Sequence, residues 1–249
     1  MIKLAPAGLK DDIEMRKVYA GFVAGQIEAG SPIIALEADL MSSMAMDSVA
    51  RDYPQHVINC GIMEANVIGT AAGLALTGRK PFVHTFTAFA SRRCFDQLFM
   101  ALDYQRNNVK VIASDAGVTA CHNGGTHMSF EDMGIVRGLA HSVVLEVTRQ
   151  LEQEGVSAAV IDMFTLKPID RMLVKNYAEK TRRIVTCENH SIHNGLGSAV
   201  AEVLVENCPV PMRRVGVKER YGQVGTQDFL QQEYGLTAEA IVEAAKSLL

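Results

Sequence analysis

Short apolar, β-branched runs alternate with helix-period segments along the whole chain, and no other feature constrains the fold as much. Residues 32–36, 81–85 and 109–113 read as buried strands, with a briefer one at 56–59 and another at 143–147. Residues 12–28, 44–51, 91–106 and 130–139 carry apolar positions at helical spacing, as does the run from Glu64 to near Gly78. The second half repeats the pattern, with strands at 158–162, 183–187 and 210–215. Helices are expected there at 170–179, 197–207, 226–233 and 237–248. Strands separated by helices of about 10–15 residues imply βαβ units and parallel sheets covered by helices on both faces. The expected class is α/β, with two parallel-sheet βαβ domains, 1–148 and 149–249.

The join between those domains breaks the pattern. Glu146-Val147-Thr148 ends a strand, and Arg149-Gln150-Leu151-Glu152 continues as the tail of a helix. No turn chemistry or linker separates them.

Glu64 stands out chemically. It lies in the run Cys60-Gly61-Ile62-Met63-Glu64-Ala65-Asn66-Val67-Ile68-Gly69, otherwise small and apolar. A buried carboxylate is costly, or shifts its pKa, unless it is paired. The residues alone leave two readings open, a structural ion pair or a functional acid. Two further features follow strand ends, where ligands bind in open parallel sheets. Thr85-Phe86-Thr87-Ala88-Phe89 sets two aromatics three apart, as core residues or as a ligand platform. Cys121-His122-Asn123-Gly124-Gly125-Thr126-His127 flanks paired glycines with imidazoles, as a surface turn or as a loop that approaches a ligand. In the second half His190 and His193 precede a helix start at Gly195 and Gly197. An ordinary helix start is the simpler reading there, and an anion site the other.

Composition removes several function classes. With 249 residues and a net charge of −4, the chain has no basic footprint for nucleic acid or a membrane surface. No stretch approaches the roughly 18 apolar residues of a membrane span. Five scattered cysteines without a C-x-x-C pair argue against a disulfide framework or zinc site and point to a reducing cytoplasm.

Taken together, Asn59 to Glu64, Thr85 to Phe89 and Gly124-Gly125-Thr126-His127 resemble the pyrimidine-binding domain of transketolases. The run Ile161-Asp162-Met163-Phe164-Thr165-Leu166-Lys167-Pro168-Ile169-Asp170 resembles their carboxy-terminal domain. So do Cys187-Glu188-Asn189-His190 with Gly195-Leu196-Gly197, and Tyr221-Gly222-Gln223-Val224-Gly225. The motifs occur in family order and span nearly the whole chain.

The resemblance implies a split enzyme. The family's diphosphate-binding domain is absent, so a separate amino-terminal subunit would supply it. Thiamine diphosphate would bind where the chains meet, with its magnesium or calcium ion held mainly by the partner and no metal ligand here. The family also suggests a homodimeric pairing of such two-chain units. The implied reaction moves a two-carbon ketol unit from a ketose, typically a sugar phosphate, to an aldose. Glu64 would bond N1′ of the cofactor's aminopyrimidine, with Phe86 and Phe89 as its platform. Arg92, one turn beyond Phe89, falls among the cofactor contacts at a spacing unlike the commonest pattern. His127 would meet the substrate and act in catalysis with Glu64, and Arg16 and Ser43 would contact the substrate's phosphate.

Several positions depart from the family. Asn123 stands where an Asp usually reads the donor's hydroxyl configuration, and Asp115 stands where many members carry a His. Both are expected to shape substrate preference. Between Thr148 and Arg149 the family has further core elements and a phosphate-binding Arg, all missing here. Either the polypeptide carries an additional segment at this join, or it is internally deleted. The rival readings are a 1-deoxyxylulose-phosphate synthase-like or E1 β-like subunit, and a non-catalytic binding subunit.

Overall fold

The structure, a computed structural model, describes residues 12–142, 144–145 and 159–248. The join at Thr148–Arg149 lies outside the described residues. The chain divides into two compact units. One comprises residues up to Thr85 with Asp96–Ala113, and the other Phe86–Phe95 with residues from Ser114 onward.

In the first unit, helix α1 (Met15–Glu28) ends at Gly30, whose φ of +73° suits a residue without a side chain. It leads into β1 (Ile33–Glu37), in which all five residues are buried. Helix α2 (Asp47–Asp52), β2 (Val57–Asn59), α3 (Glu64–Leu76) and β3 (Lys80–Phe86) follow. The residues expected to form one helix at 91–106 instead make a π-turn (Phe89–Arg93), a single turn α4 (Phe95–Gln97) and a second π-turn (Leu98–Asp103). The reason is local. Ser91 Oγ donates to the Thr87 carbonyl at 2.7 Å, and Cys94 Sγ to the Ala90 carbonyl at 3.1 Å. Side chains that bond back to the preceding turn compete with the regular ladder and open it.

Strand β4 (Lys110–Ser114) completes a four-stranded sheet of order β2-β1-β3-β4, with β1 parallel to both neighbours. From β1 the chain passes to β2 on one side, then crosses back past β1 to β3 on the other. That makes a topological switch point, where such sheets open a crevice beyond their carboxyl ends. Beneath it, Val23 of α1 packs with Ala35, Met46 and Val49, all buried.

The second unit holds two 3₁₀ turns (Gly117–Ala120 and Gly124–Thr126) and α5 (Asp132–Val136). Strands β5 (Val144–Leu145) and β6 (Thr165–Lys167) pair antiparallel, a ladder that the alternation did not predict. The strand expected at 158–162 is displaced, since residues 159–164 carry none and the ladder begins at Thr165. β-propensity alone does not make a strand where no neighbour supplies ladder bonds.

Helix α6 (Arg171–Thr181) starts at Asp170, whose carboxylate accepts from the Leu173 amide at 2.9 Å. It packs on α7 (Leu196–Asn207) through Val174, Ala178, Val200 and Leu204. Strands β7 (Ile184–Ser191) and β8 (Met212–Val217) are parallel, and α8 (Gln227–Glu233) and α9 (Ala238–Lys246) close the chain. The α/β class and its parallel sheets are as expected. Among the described residues no helix is long and apolar enough to cross a membrane.

Candidate functional site

In the first unit, three strand ends converge on Glu64. Asn59, the last residue of β2, accepts the Asp39 and Gly61 amides on Oδ1 at 3.1 and 3.0 Å. Its Nδ2 donates to Asp39 Oδ1 at 2.9 Å. Asp39 adopts a left-handed conformation, φ +64°, one that Asp tolerates. This knot fixes the approach to α3, and Glu64 is the first residue of that helix. There a carboxylate is favoured by the helix dipole. The side chain is 3% exposed. Thr85, near the end of β3, donates its hydroxyl to Glu64 Oε1 at 3.5 Å, the long limit for such a bond.

Behind it lies a pair not singled out in the sequence. Glu37 and His84 face each other at the ends of β1 and β3, both 0% exposed, with Nδ1 to Oε2 at 2.7 Å. The Glu37 carbonyl accepts the Cys60 amide at 2.9 Å, and the His84 carbonyl the Ala38 amide at 3.3 Å. The pair therefore ties together the strand ends that carry Asp39, Cys60 and Thr85. A glutamate closing an otherwise apolar strand was the available signal. Burial, then the Glu37 charge, pushes the Tyr19 phenol well above its ordinary value. Burial also raises the Cys60 thiol. Arg16 is exposed, with Nε on Glu14 at 2.7 Å, and Ser43 lies half-buried in the turn before α2.

In the second unit the rings gather. Phe86 and Phe89 lie 6.2 Å apart by centroid. His127 stands edge-on to both, at 5.9 and 5.0 Å. His127 Nδ1 meets Thr126 Oγ1 at 2.9 Å, which leaves Nε2 to reach outward. Arg92 holds this loop from outside. Nη2 donates to the Thr126 and Met128 carbonyls at 3.2 and 3.3 Å, and Nε lies 3.2 Å from Glu131 Oε1. His122, Asn123 and Asp115 are exposed, and Asp115 takes a left-handed φ of +58°.

His190 is not a surface residue. It is 2% exposed, with Nε2 at 3.3 Å from Asp132 Oδ1 and Nδ1 at 3.9 Å from Glu188 Oε2. Glu188 Oε1 accepts the Gly197 amide at 3.0 Å, so this carboxylate already occupies a donor at the start of α7. Burial raises both Asp132 and Glu188 above the usual carboxyl range. His190 opposes the first shift, and the Gly197 bond is the leading opposition to the second. Among the described residues no group of three or more His, Cys, Asp or Glu is arranged to hold a metal.

The first unit thus holds a parallel sheet with a switch point and a buried acid beyond its carboxyl edge, and the second a cluster of aromatic and imidazole rings, within an α/β protein. Known proteins carry the assignment further. The family description "Transketolase, pyrimidine binding domain" matches residues 11–169, and "Transketolase, C-terminal domain" matches 135–241. The 6-deoxy-6-sulfo-D-fructose transketolase subunit SqwH of Clostridium sp. (strain MSTE9) is 36% identical, over 93% of each chain. An apulose-4-phosphate transketolase subunit of Phocaeicola vulgatus is 26% identical, over 94% of this chain and 96% of that one. Among solved structures, a split-gene transketolase, an inactive beta4 tetramer, superposes with a TM-score of 0.83 at 31% identity. That match covers 95% of this chain and 98% of the other. The chain belongs to the transketolase family, as a subunit of the split type.

Proposed function

We propose that this chain is the pyrimidine-binding subunit of a two-chain transketolase. It would move a two-carbon ketol unit from a ketose with a terminal phosphate or sulfonate onto an aldose. The observation that carries the reading is Glu64, a buried carboxylate at a helix start, beyond the carboxyl ends of a parallel sheet and within reach of the Thr85 hydroxyl. Such an acid suits a ring nitrogen that shares a proton with it. The residues present thus fit thiamine diphosphate, which when bound supplies the nucleophilic carbon and the electron sink.

Glu64 holds the proton at N1′ of the aminopyrimidine. Thr85 orients the carboxylate. Phe86 and Phe89 offer apolar area as a platform for the cofactor's pyrimidine. His127 presents Nε2 to sugar oxygens, as donor or proton carrier. Arg92 braces the His127 loop and contributes to cofactor binding. Arg16 and Ser43 receive the terminal anion, where a guanidinium fork recognises phosphate and sulfonate alike. Asp115 and Asn123 read the sugar's hydroxyls. The amino-terminal subunit brings the diphosphate site and the divalent metal, magnesium or calcium, and two such pairs assemble around a homodimer in the cytoplasm. The sulfonated sugar in the Clostridium relative's name makes a sulfonated ketose the first donor to try.

The test mixes the chain with an amino-terminal transketolase subunit, thiamine diphosphate and magnesium. The mixture is assayed against phosphorylated and sulfonated ketoses. Ketol transfer is expected from the mixture, none from the chain alone, and a loss of at least about a hundredfold with Glu64→Gln. Full activity of the Glu64→Gln mixture would sink the assignment. An additional segment at Thr148–Arg149 is favoured over an internal deletion, because losing core elements there would expose apolar faces. The intact mass of the purified chain decides that point.

A further inference from the structure

The family's carboxy-terminal region is not where its chemistry is expected, yet here that region grips the stretch from Asp115 to His127. The grip centres on Asn189 of β7. Its Oδ1 accepts the Val118 amide at 3.1 Å, and its Nδ2 donates to the Ala116 carbonyl at 3.2 Å. One primary amide therefore satisfies both sides of the Gly117 peptide, as a neighbouring strand would. Gly117 is left-handed, φ +59°, and a Cβ there would overlap both the side chain and the carbonyl of Asn189. Alanine is excluded twice over, by conformation and by space. Asp115, two residues earlier, is also left-handed and has a side chain to accommodate. Asp tolerates this conformation better than most residues, but it is still less favourable than the right-handed one and is held here by its surroundings.

Two more links lie along the same stretch. The Gly225 amide donates to the Cys121 carbonyl at 3.3 Å. A Cβ on Gly125 would sit 2.5 Å from the Gly222 carbonyl, so the two backbones touch beside His127. Val118 and Met128 are buried together with Val217 and Leu230.

We propose that Asn189 is a positioning residue for substrate recognition. It holds the loop 115–118 in its left-handed form and so sets where Asp115 presents its carboxylate to the donor sugar. The proposal rests on the transketolase reading above. It assigns a role in donor preference to a residue that touches neither cofactor nor sugar.

Two measurements test it, both on the full chain. The first is amide hydrogen exchange of the isolated chain, which needs no activity. Asn189→Leu should speed exchange at Val118 by at least about tenfold, the loss expected for one buried hydrogen bond. Asn189→Asp keeps the acceptor and loses the donor, and should speed it less. The second is steady-state kinetics of the two-chain complex. Asn189→Leu should raise KM for the ketose donor by about three- to tenfold, with kcat and the thiamine diphosphate requirement unchanged. Asn189→Asp should lie between it and the wild type. Should the Leu variant not fold, the Asp variant carries both readouts, and equality with wild type overturns the proposal. Unchanged Val118 exchange overturns the clamp. Faster exchange with an unchanged donor KM overturns the positioning role. A wild-type complex without ketol transfer would remove the transketolase reading and this role with it. An active wild type with indifferent Asn189 variants would remove this role alone.

Discussion

Replacing His84 by Leu should be among the most damaging single changes in the first unit, and replacing Glu37 as well should repair it. His84 and Glu37 are fully buried and 2.7 Å apart. Glu37 Oε1 has no hydrogen-bond partner among the described residues, so Oε2 carries the carboxylate's known bond. In His84→Leu that bond disappears while the carboxylate stays behind, at a cost of about 3–5 kcal/mol. The buried Tyr19 hydroxyl, close enough to feel the Glu37 charge, is placed to soften the loss. That puts the expected value near the lower end, about 3 kcal/mol. In Glu37→Leu/His84→Leu no charge is left to desolvate, and both leucines fill positions that are fully buried. Stability should return to within about 1 kcal/mol of wild type, or exceed it. The cycle gives a coupling energy of at least about 2 kcal/mol. Urea unfolding followed by far-ultraviolet circular dichroism is the assay, because the chain has no Trp to report by fluorescence. A His84→Leu cost below about 1 kcal/mol, or a double variant no better than the worse single, would refute the reasoning.

Two further outcomes are open to direct measurement. Burial raises Asp132 and Glu188 in the folded chain. The stability they contribute is therefore fully present below the unfolded carboxyl range, about pH 4, and is lost as pH rises through their higher folded values. Melting temperatures from about pH 4.5 to about pH 7.5 should show Asp132→Asn gaining on wild type as pH rises, and a gap moving the other way would remove the explanation. Gly73 lies exposed within α3, and a Cβ there meets nothing within 4 Å. Gly73→Ala should stabilise the isolated chain by about 0.5–1 kcal/mol, and a destabilised variant would mean that the helix is not regular there.

Much of the fold was legible because it depends on periodicity. Strands β1 and β3 and the start of α3 stand where apolar runs and turn residues put them. The break of the 91–106 helix was not legible. Its cause is hydrogen bonding by Ser91 and Cys94 to the turn before them, which leaves the apolar pattern almost untouched. The displaced strand at Thr165 escaped for a different reason, since a ladder depends on a distant partner and not on the run itself. Within the candidate site, Glu64 announced itself by contrast with its neighbours. His84 did not, and Glu37 gave only the signal of a charge closing an apolar strand, until pairing in register brought the two together. Asn189 is subtler still. Its run Cys187-Glu188-Asn189-His190 carries the family resemblance, but its role comes from Gly117, 72 positions earlier, in the turn it encloses.

The π-turn at Phe89–Arg93 also bears on how this chain can change over generations. A turn of this kind holds one residue more than an α-turn, and successive residues on a helix are about 100° apart. Deleting a single residue there would relax it to an α-turn, leave the flanking segments in place and bring a neighbour into the place of Arg92. That neighbour is another arginine. Arg93 now lies over the Phe89 ring at 4.0 Å, while Arg92 grips the carbonyls of Thr126 and Met128. A lineage that gains or loses one codon at this point would keep a guanidinium beside the loop yet exchange which one serves it. Relatives aligned by residue type alone would then match arginines that do different work.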